Sequence, residues 1–239
     1  MNYWKEIWIK RAADNEILRN GKEEDILLEL KRSNGYDVFG GGILFEDWMN
    51  WYRRIKQNLF EGADAAGSVY EVGCGSGANL YYFERDGMIS GGLDYSEGLV
   101  QSAKTILKSN DLTCDEAIHL SAETMYDAVF SNGVFSYFAD EEYAAEVMDR
   151  MYRKARYGIG FLDILDKQRE EDFIAYRKKN IEDYEERYKN CPKLFYTKQF
   201  FLDFASSHKA DIKFTYSDLK GYWNNEYNFN CYVYKRREG

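Results

Sequence analysis

Val69-Tyr70-Glu71-Val72-Gly73-Cys74-Gly75-Ser76-Gly77 is the stretch on which the fold turns. A short β-branched and aromatic run enters a cluster of glycines, and the apolar residues Leu80, Tyr81 and Phe83 then resume at helical spacing. The pattern predicts strand, tight turn, helix. Glycines let the backbone turn sharply and let a ligand approach without a Cβ in the way. The N-terminus of the helix behind them offers free N–H groups to an anion. The next apolar run, 88–93, ends at Asp94, where an acidic side chain can accept hydrogen bonds from ribose hydroxyls. Taken alone the motif is ambiguous, because Gly73, Gly75 and Ala78 also satisfy the dinucleotide fingerprint.

Moving outward, strand and helix signals alternate from 66 to 165. Strands are predicted at 68–72, 88–93, 117–120, 127–130 and 159–162. Helices are predicted around 80–83, 99–107 and 143–151. Such alternation implies βαβ units and a parallel sheet. Near the C-terminus, 212–216 and 229–234 alternate like strands with no helical pattern between them, which predicts an antiparallel hairpin. Before the alternation, residues 1–65 read as a helical cap: Trp4, Ile7, Trp8 and Arg11 share one helical face, as do Phe45, Trp48, Tyr52, Ile55 and Leu59. The triplet Gly40-Gly41-Gly42 separates the two. Between Asp166 and Asn190, 7 basic and 8 acidic side chains surround a stripe of Phe173, Tyr176, Ile181, Tyr184 and Tyr188. That reads as one solvated helix with a buried face. The expected organisation is a cap at 1–65 and a ligand-binding domain at 66–239, with a lid-like insertion at 166–195.

Three features separate the readings of the glycine loop. Glu71 precedes the first glycine by two positions, a helical cap precedes the motif, and the sheet closes in a hairpin. Here the chain resembles the class I S-adenosylmethionine-dependent methyltransferases. The resemblance covers about 66–165, and the hairpin in outline. Glu71 to Gly77 resembles the family's first motif, Gly92-Leu93-Asp94-Tyr95-Ser96 its second-strand motif, and Tyr126 to Asn132 its fourth strand. The resemblance implies an α/β, Rossmann-like, doubly wound, seven-stranded and mostly parallel sheet. It implies S-adenosylmethionine as cofactor and S-adenosylhomocysteine as product. Carried over residue by residue, Gly73, Gly75 and Gly77 approach the methionine and ribose, and Glu71 holds the ammonium. Asp94 takes the ribose hydroxyls, Tyr95 packs on adenine with Ala122 and Glu123 at its polar edge, and Asn132 closes the site. Two departures stand out: the segment before the fourth strand is short, and Arg156-Tyr157-Gly158 replaces the usual Pro-Gly. Glu123 also reads as a solvated loop carboxylate.

Composition narrows the function classes. Lys and Arg total 32 against 41 Asp and Glu, a net charge of −9, opposite to what nucleic acid or an anionic membrane attracts. The closest cysteines, Cys74 to Cys114 and Cys191 to Cys231, are 40 residues apart, and the histidines are His119 and His208. No metal site is therefore expected. Unpaired cysteines, charges scattered through the first 25 residues and the lack of any long apolar run predict a cytoplasmic protein.

Catalytic candidates follow from the strand ends. Asp163 falls at the expected C-terminal end of the fifth strand, as a general base or as the N-cap of the next segment. Tyr137, after the fourth strand, faces the acceptor or packs in the core. The expected activity is methyl transfer to oxygen or nitrogen of a small molecule, with a sugar suggested by the tryptophans of the cap. Two alternatives stay open: a catalytically silent cofactor-binding protein, and a nicotinamide-dependent oxidoreductase.

Overall fold

The computed structural model describes residues 3–36, 42–63 and 66–236. Gly40 and Gly41 of the expected breaker lie outside the described residues.

Ser68–Val72 (β1) is buried at every position, as a strand flanked on both sides and covered on both faces must be. Around it stand Ile89–Asp94 (β2), Leu112–Cys114 (β3), Tyr126–Asn132 (β4), Ala155–Leu165 (β5), Asp211–Tyr216 (β6) and Asn228–Tyr234 (β7). They form one seven-stranded sheet in the order β3-β2-β1-β4-β5-β7-β6. The first five pair in parallel, and β7 runs antiparallel to both β5 and β6. The strand order reverses direction between β1 and β4, which opens a crevice at their C-terminal ends.

Ten helices accompany the sheet among the described residues: Tyr3–Trp8 (α1), Asn15–Asn20 (α2), Glu23–Ser33 (α3), Phe45–Leu59 (α4), Leu80–Arg85 (α5), Glu97–Ile106 (α6), Glu141–Lys154 (α7), Glu170–Asn180 (α8), Tyr184–Tyr188 (α9) and Lys198–Ser207 (α10). On one face α4 buries Trp48, Trp51, Tyr52, Ile55 and Leu59 in a core that includes Val69, Phe130 and Leu162. On the other face α7 buries Ala144, Val147, Met148 and Met151 in a core with Val129, Ile159 and Phe161. Each such large apolar side chain contributes about 1.5–3 kcal/mol by leaving water. Asp140 starts α7 by accepting from Tyr143 N at 2.8 Å.

Three expectations need correction. The strand predicted at 117–120 is a 3-10 turn, Ala117–His119, and the strand is Leu112–Cys114. A three-residue edge strand is too short to show alternation, whereas the apolar run after it imitates one. The single helix expected in 166–190 is broken into α8 and α9, with Asp183 in left-handed backbone at φ +52°. Finally, β5 runs to Leu165, with a register shift between Phe161 and Ile164. Asp163 sits inside that irregularity at φ +57°, so it belongs to the strand and is not a helix cap. Asp166 caps the following turn instead, accepting from Gln168 N at 3.0 Å.

Candidate active site

The C-terminal ends of β1, β2, β4 and β5 open into one cavity of about 680 Å³. Of the residues singled out in the sequence, Glu71, Gly73, Gly75, Asp94, Tyr95, Asn132, Tyr137 and Asp163 line it. Gly77, Ala122 and Glu123 do not. Gly77 is a packing glycine: a Cβ there would stand 2.7 Å from Leu107 Cδ1. After β3 the residues that line the cavity are Asp115, Glu116 and Ala117, because β3 ends earlier than its apolar neighbours suggest.

The loop after β1 is held from several sides. Gly73 turns at φ +76°, and any Cβ there would collide with Val134. Asp94 accepts from Gly75 N at 2.9 Å and from Ser96 N at 2.8 Å, so it braces the loop as well as facing the cavity. Burial pushes its carboxyl up to about 6. From the cap, Asn34 Oδ1 accepts from Ser76 N at 2.8 Å. Nothing in the sequence marked Asn34, because its role depends on α3 docking beside the loop.

Beneath the loop lies a buried polar chain. Lys31 Nζ donates to Asn79 Oδ1, and Asn79 Nδ2 donates to Glu71 Oε1, both at 2.6 Å. Trp48 and Trp51 enclose Lys31, whose ammonium stands 3.9 Å and 4.9 Å from their ring centroids. Burial lowers Lys31 to about 7 and raises Glu71 to about 8. Glu71 Oε2 is buried without a hydrogen-bond partner.

A second polar cluster surrounds Asp163. Its Oδ2 accepts from Tyr222 OH at 2.8 Å. Its Oδ1 accepts from Asn224 Nδ2 at 3.2 Å and from Asn228 Nδ2. A Cβ on Gly133 would approach Oδ2 to 3.3 Å, so the glycine clears the space in front of this oxygen. Burial raises the Asp163 carboxyl, while the Tyr222 hydrogen bond, the charge of Lys193 and the Asn224 hydrogen bond act against that rise. Asn132 Nδ2 donates to Tyr36 OH at 3.0 Å and fixes that ring in the cavity wall. Among these, Tyr36, Tyr222 and Asn224 carried no signal in the sequence, since they come from the cap and from the turn before β7.

The two segments outside the sheet cover the opening. Trp4, Trp8 and Arg11 line the cavity from the N-terminus, and Phe173, Arg177, Tyr188 and Lys193 line it from 166–195. They meet where Trp4 Nε1 donates to Pro192 O at 2.7 Å. Trp48 and Trp51 serve Lys31 and do not line the cavity.

A family model described as a methyltransferase domain matches residues 70–158. That segment contains the glycine loop, Asp94 and the crevice between β1 and β4. Residues 70–158 form a methyltransferase domain. The match overrides the dinucleotide reading of the glycines. No curated protein sequence matches the chain. Solved structures share the architecture at low identity. The plantazolicin methyltransferase BpumL, in complex with a triazolic desmethylPZN analog and SAH, aligns with a TM-score of 0.64 at 14% identity, over 99% of this chain and 100% of that one. The magnesium protoporphyrin IX methyltransferase (ChlM) from Synechocystis PCC 6803 with bound SAM aligns at 0.58 and 13%, over 94% and 99%. DesVI from Streptomyces venezuelae aligns at 0.59 and 10%, over 80% and 93%. At such identities the likeness is one of fold. Among the described residues no helix is long and apolar enough to cross a membrane.

Proposed function

We propose that this methyltransferase domain uses S-adenosylmethionine to methylate an oxygen or nitrogen atom of a small molecule, with S-adenosylhomocysteine as product. One observation carries the reading: four carboxylates, Glu71, Asp94, Asp115 and Glu116, line the cavity at the glycine loop and β3. Asp163 lines it from β5, and Arg11, Arg177 and Lys193 also reach it. The four carboxylates suit a ligand bearing an ammonium, a sulfonium and a ribose diol. The orphaned Oε2 of Glu71 supplies an unused acceptor for an N–H donor. Asp94 keeps acceptor capacity beyond its two backbone bonds.

When bound, S-adenosylmethionine supplies an electrophilic methyl group on a sulfonium. The protein's part is alignment, proton removal and exclusion of water. Asp163 Oδ2 is the group placed to take the proton from the acceptor, since Gly133 leaves its front open. Tyr222, Asn224 and Asn228 hold that carboxylate in one orientation. Tyr137, edge-on to Trp4 and Trp8 at 5.0 Å and 5.6 Å, belongs to the aromatic wall that excludes water. Both covering segments reach the cavity, which favours a molecule small enough to be enclosed. The composition and the enclosed site argue against nucleic acid as acceptor, and the described residues contain no cluster suited to a metal ion.

Two measurements test the reading. Calorimetric titration with S-adenosylmethionine and S-adenosylhomocysteine should show binding of both, and no binding of either up to millimolar concentration would sink it. Radiolabelled methyl transfer into a metabolite extract should then give a labelled product. Binding without any transfer would leave a silent cofactor-binding protein.

A further inference from the structure

Lys193 and Arg177 both line the cavity close enough to repel each other, and among the described residues neither stands within salt-bridge distance of a carboxylate. Lys193 Nζ donates only to Ser136 Oγ, at 3.2 Å, and stands 4.0 Å from the ring centroid of Tyr137. The Arg177 guanidinium lies over Tyr188 at 4.7 Å, Tyr184 at 5.2 Å, Phe173 at 5.6 Å and Trp223 at 5.8 Å. Its Nε is buried without a hydrogen-bond partner. Burial and the neighbouring charge of Arg177 together lower the Lys193 ammonium to about 7. Two cations that repel each other in a partly dry site are costly unless an anion joins them. Asp163 attracts the Lys193 ammonium but accepts its hydrogen bonds from Tyr222, Asn224 and Asn228, not from either cation. Aromatic rings crowd both cations where they line the cavity: Trp4 and Tyr137 stand against Lys193, and Phe173 and Trp223 against Arg177.

We infer that the methyl acceptor is a flat, unsaturated molecule carrying an anionic substituent, a carboxylate or a phosphate ester, which Arg177 and Lys193 grip while Asp163 faces the nucleophile. The inference rests on the proposed function for its nucleophile, but the anion grip stands on Arg177 and Lys193 themselves. A guanidinium gives an oxyanion two parallel hydrogen bonds and an ammonium gives it a point charge. The grip fixes one end of the acceptor, so the other end meets Asp163 in a limited set of orientations.

The test uses the full chain saturated with S-adenosylhomocysteine, and calorimetry with naphthoate, naphthyl phosphate and naphthamide. We expect the better of the two anions to bind roughly tenfold or more tightly than the neutral amide. Arg177→Met and Lys193→Met should each reduce that ratio by about threefold to tenfold while changing the affinity for naphthamide by less than about twofold. A tighter naphthyl phosphate names a phosphate ester as the substituent, and a tighter naphthoate names a carboxylic acid. Should either variant fail to fold by thermal unfolding, the wild-type ratio at low and high salt replaces it, and the ratio must shrink as salt rises. Amide binding equal to or tighter than anion binding would overturn the inference, as would no binding by any of the three. Failure of S-adenosylhomocysteine to bind would instead strike the proposed function, and the anion preference would then be read on the chain alone.

Discussion

Lys31 on α3 and Glu71 on β1 are joined through the single amide of Asn79, with 2.6 Å on each side. A lysine and a carboxyl group thus share one neutral bridge, and both residues are almost fully buried. Both are pushed toward their neutral forms by burial, Lys31 to about 7 and Glu71 to about 8. The bridge links the cap to the floor of the glycine loop, so under the proposed function cofactor binding should be coupled to protonation.

Cofactor binding should release protons at neutral pH. An ammonium brought beside Glu71 favours the carboxylate over the acid, so Glu71 gives up its proton. Calorimetry with S-adenosylhomocysteine in two buffers of different ionisation enthalpy reads this directly. We expect a net release near pH 7 that diminishes above the range around pH 8, and that is largely lost in Glu71→Gln. Proton uptake, or an identical apparent enthalpy in both buffers, would contradict the placement of Glu71.

The same pair should lower the stability of the ligand-free protein. The folded pKa of Glu71 is raised, so its folded form binds more protons than the unfolded chain, and stability falls as pH rises from about 4.5 to about 8. The folded pKa of Lys31 is lowered, so its contribution is a penalty that grows as pH falls from 10.5 to about 7. Replacing both, by Glu71→Gln with Lys31→Met, should leave the protein as stable at pH 7 or more stable by about 1–4 kcal/mol, as for other buried ion pairs. Denaturant unfolding measures it. A loss of several kcal/mol would show that the bridge holds the fold together.

Asp94→Ala should weaken S-adenosylhomocysteine binding by roughly tenfold to a few hundredfold, through lost charge-assisted hydrogen bonds. Its contacts to Gly75 N and Ser96 N add a second expectation: the variant should also lose about 1–2 kcal/mol of stability. A strand-end acid looks expendable to folding when only its position is known. Unchanged cofactor affinity would remove Asp94 from the site.

The glycine loop, the parallel sheet and the terminal hairpin were legible because each rests on local pattern: glycines behind a strand, alternation, helical stripes. Eight of the eleven site residues named from the sequence meet in one cavity for the same reason, as they follow strand ends. Ala122 and Glu123 missed because Leu112–Cys114 offers one buried apolar residue and no alternation. Lys31, Asn34, Tyr36 and Lys193 were invisible, since their roles arise only when the cap and the insertion dock on the sheet. Asp163 could be placed at the strand end, but its left-handed backbone could not, because an aspartate does not announce a bulge as a glycine does.

Asp163→Asn should lower kcat by about a hundredfold or more while changing S-adenosylhomocysteine affinity little, because the amide keeps the shape but cannot take a proton. The acidic limb of the wild-type pH–rate profile should report a carboxyl titrating above the ordinary aspartate range, in the direction that burial drives it. That limb should disappear in the variant. A variant with near-normal kcat and an unchanged profile would assign the proton to another acceptor.

The covering segments should move as one unit. Trp4 of α1 bonds Pro192 O and faces Tyr188 at 6.0 Å, so the N-terminal piece and the insertion are tied to each other across the cavity. The N-terminal piece is also fastened to the cofactor side, where Lys5 pairs with Glu116 and Ser96 Oγ donates to Trp8 O at 2.9 Å. Exposed ion pairs of this kind contribute under about 1 kcal/mol, so the cover can open while the sheet stays folded. A ligand that fills the space beneath it should shift the balance toward the closed form. Hydrogen exchange should therefore show Trp4 to Arg11 and Phe173 to Tyr188 gaining protection together when S-adenosylhomocysteine binds, with Gly73 to Gly77 as the internal reference. Trp4→Ala removes the tie and should let the two segments respond to different extents. If the glycine loop is protected while both segments exchange at the same rate with and without ligand, the cover is static. The acceptor must then enter by another route.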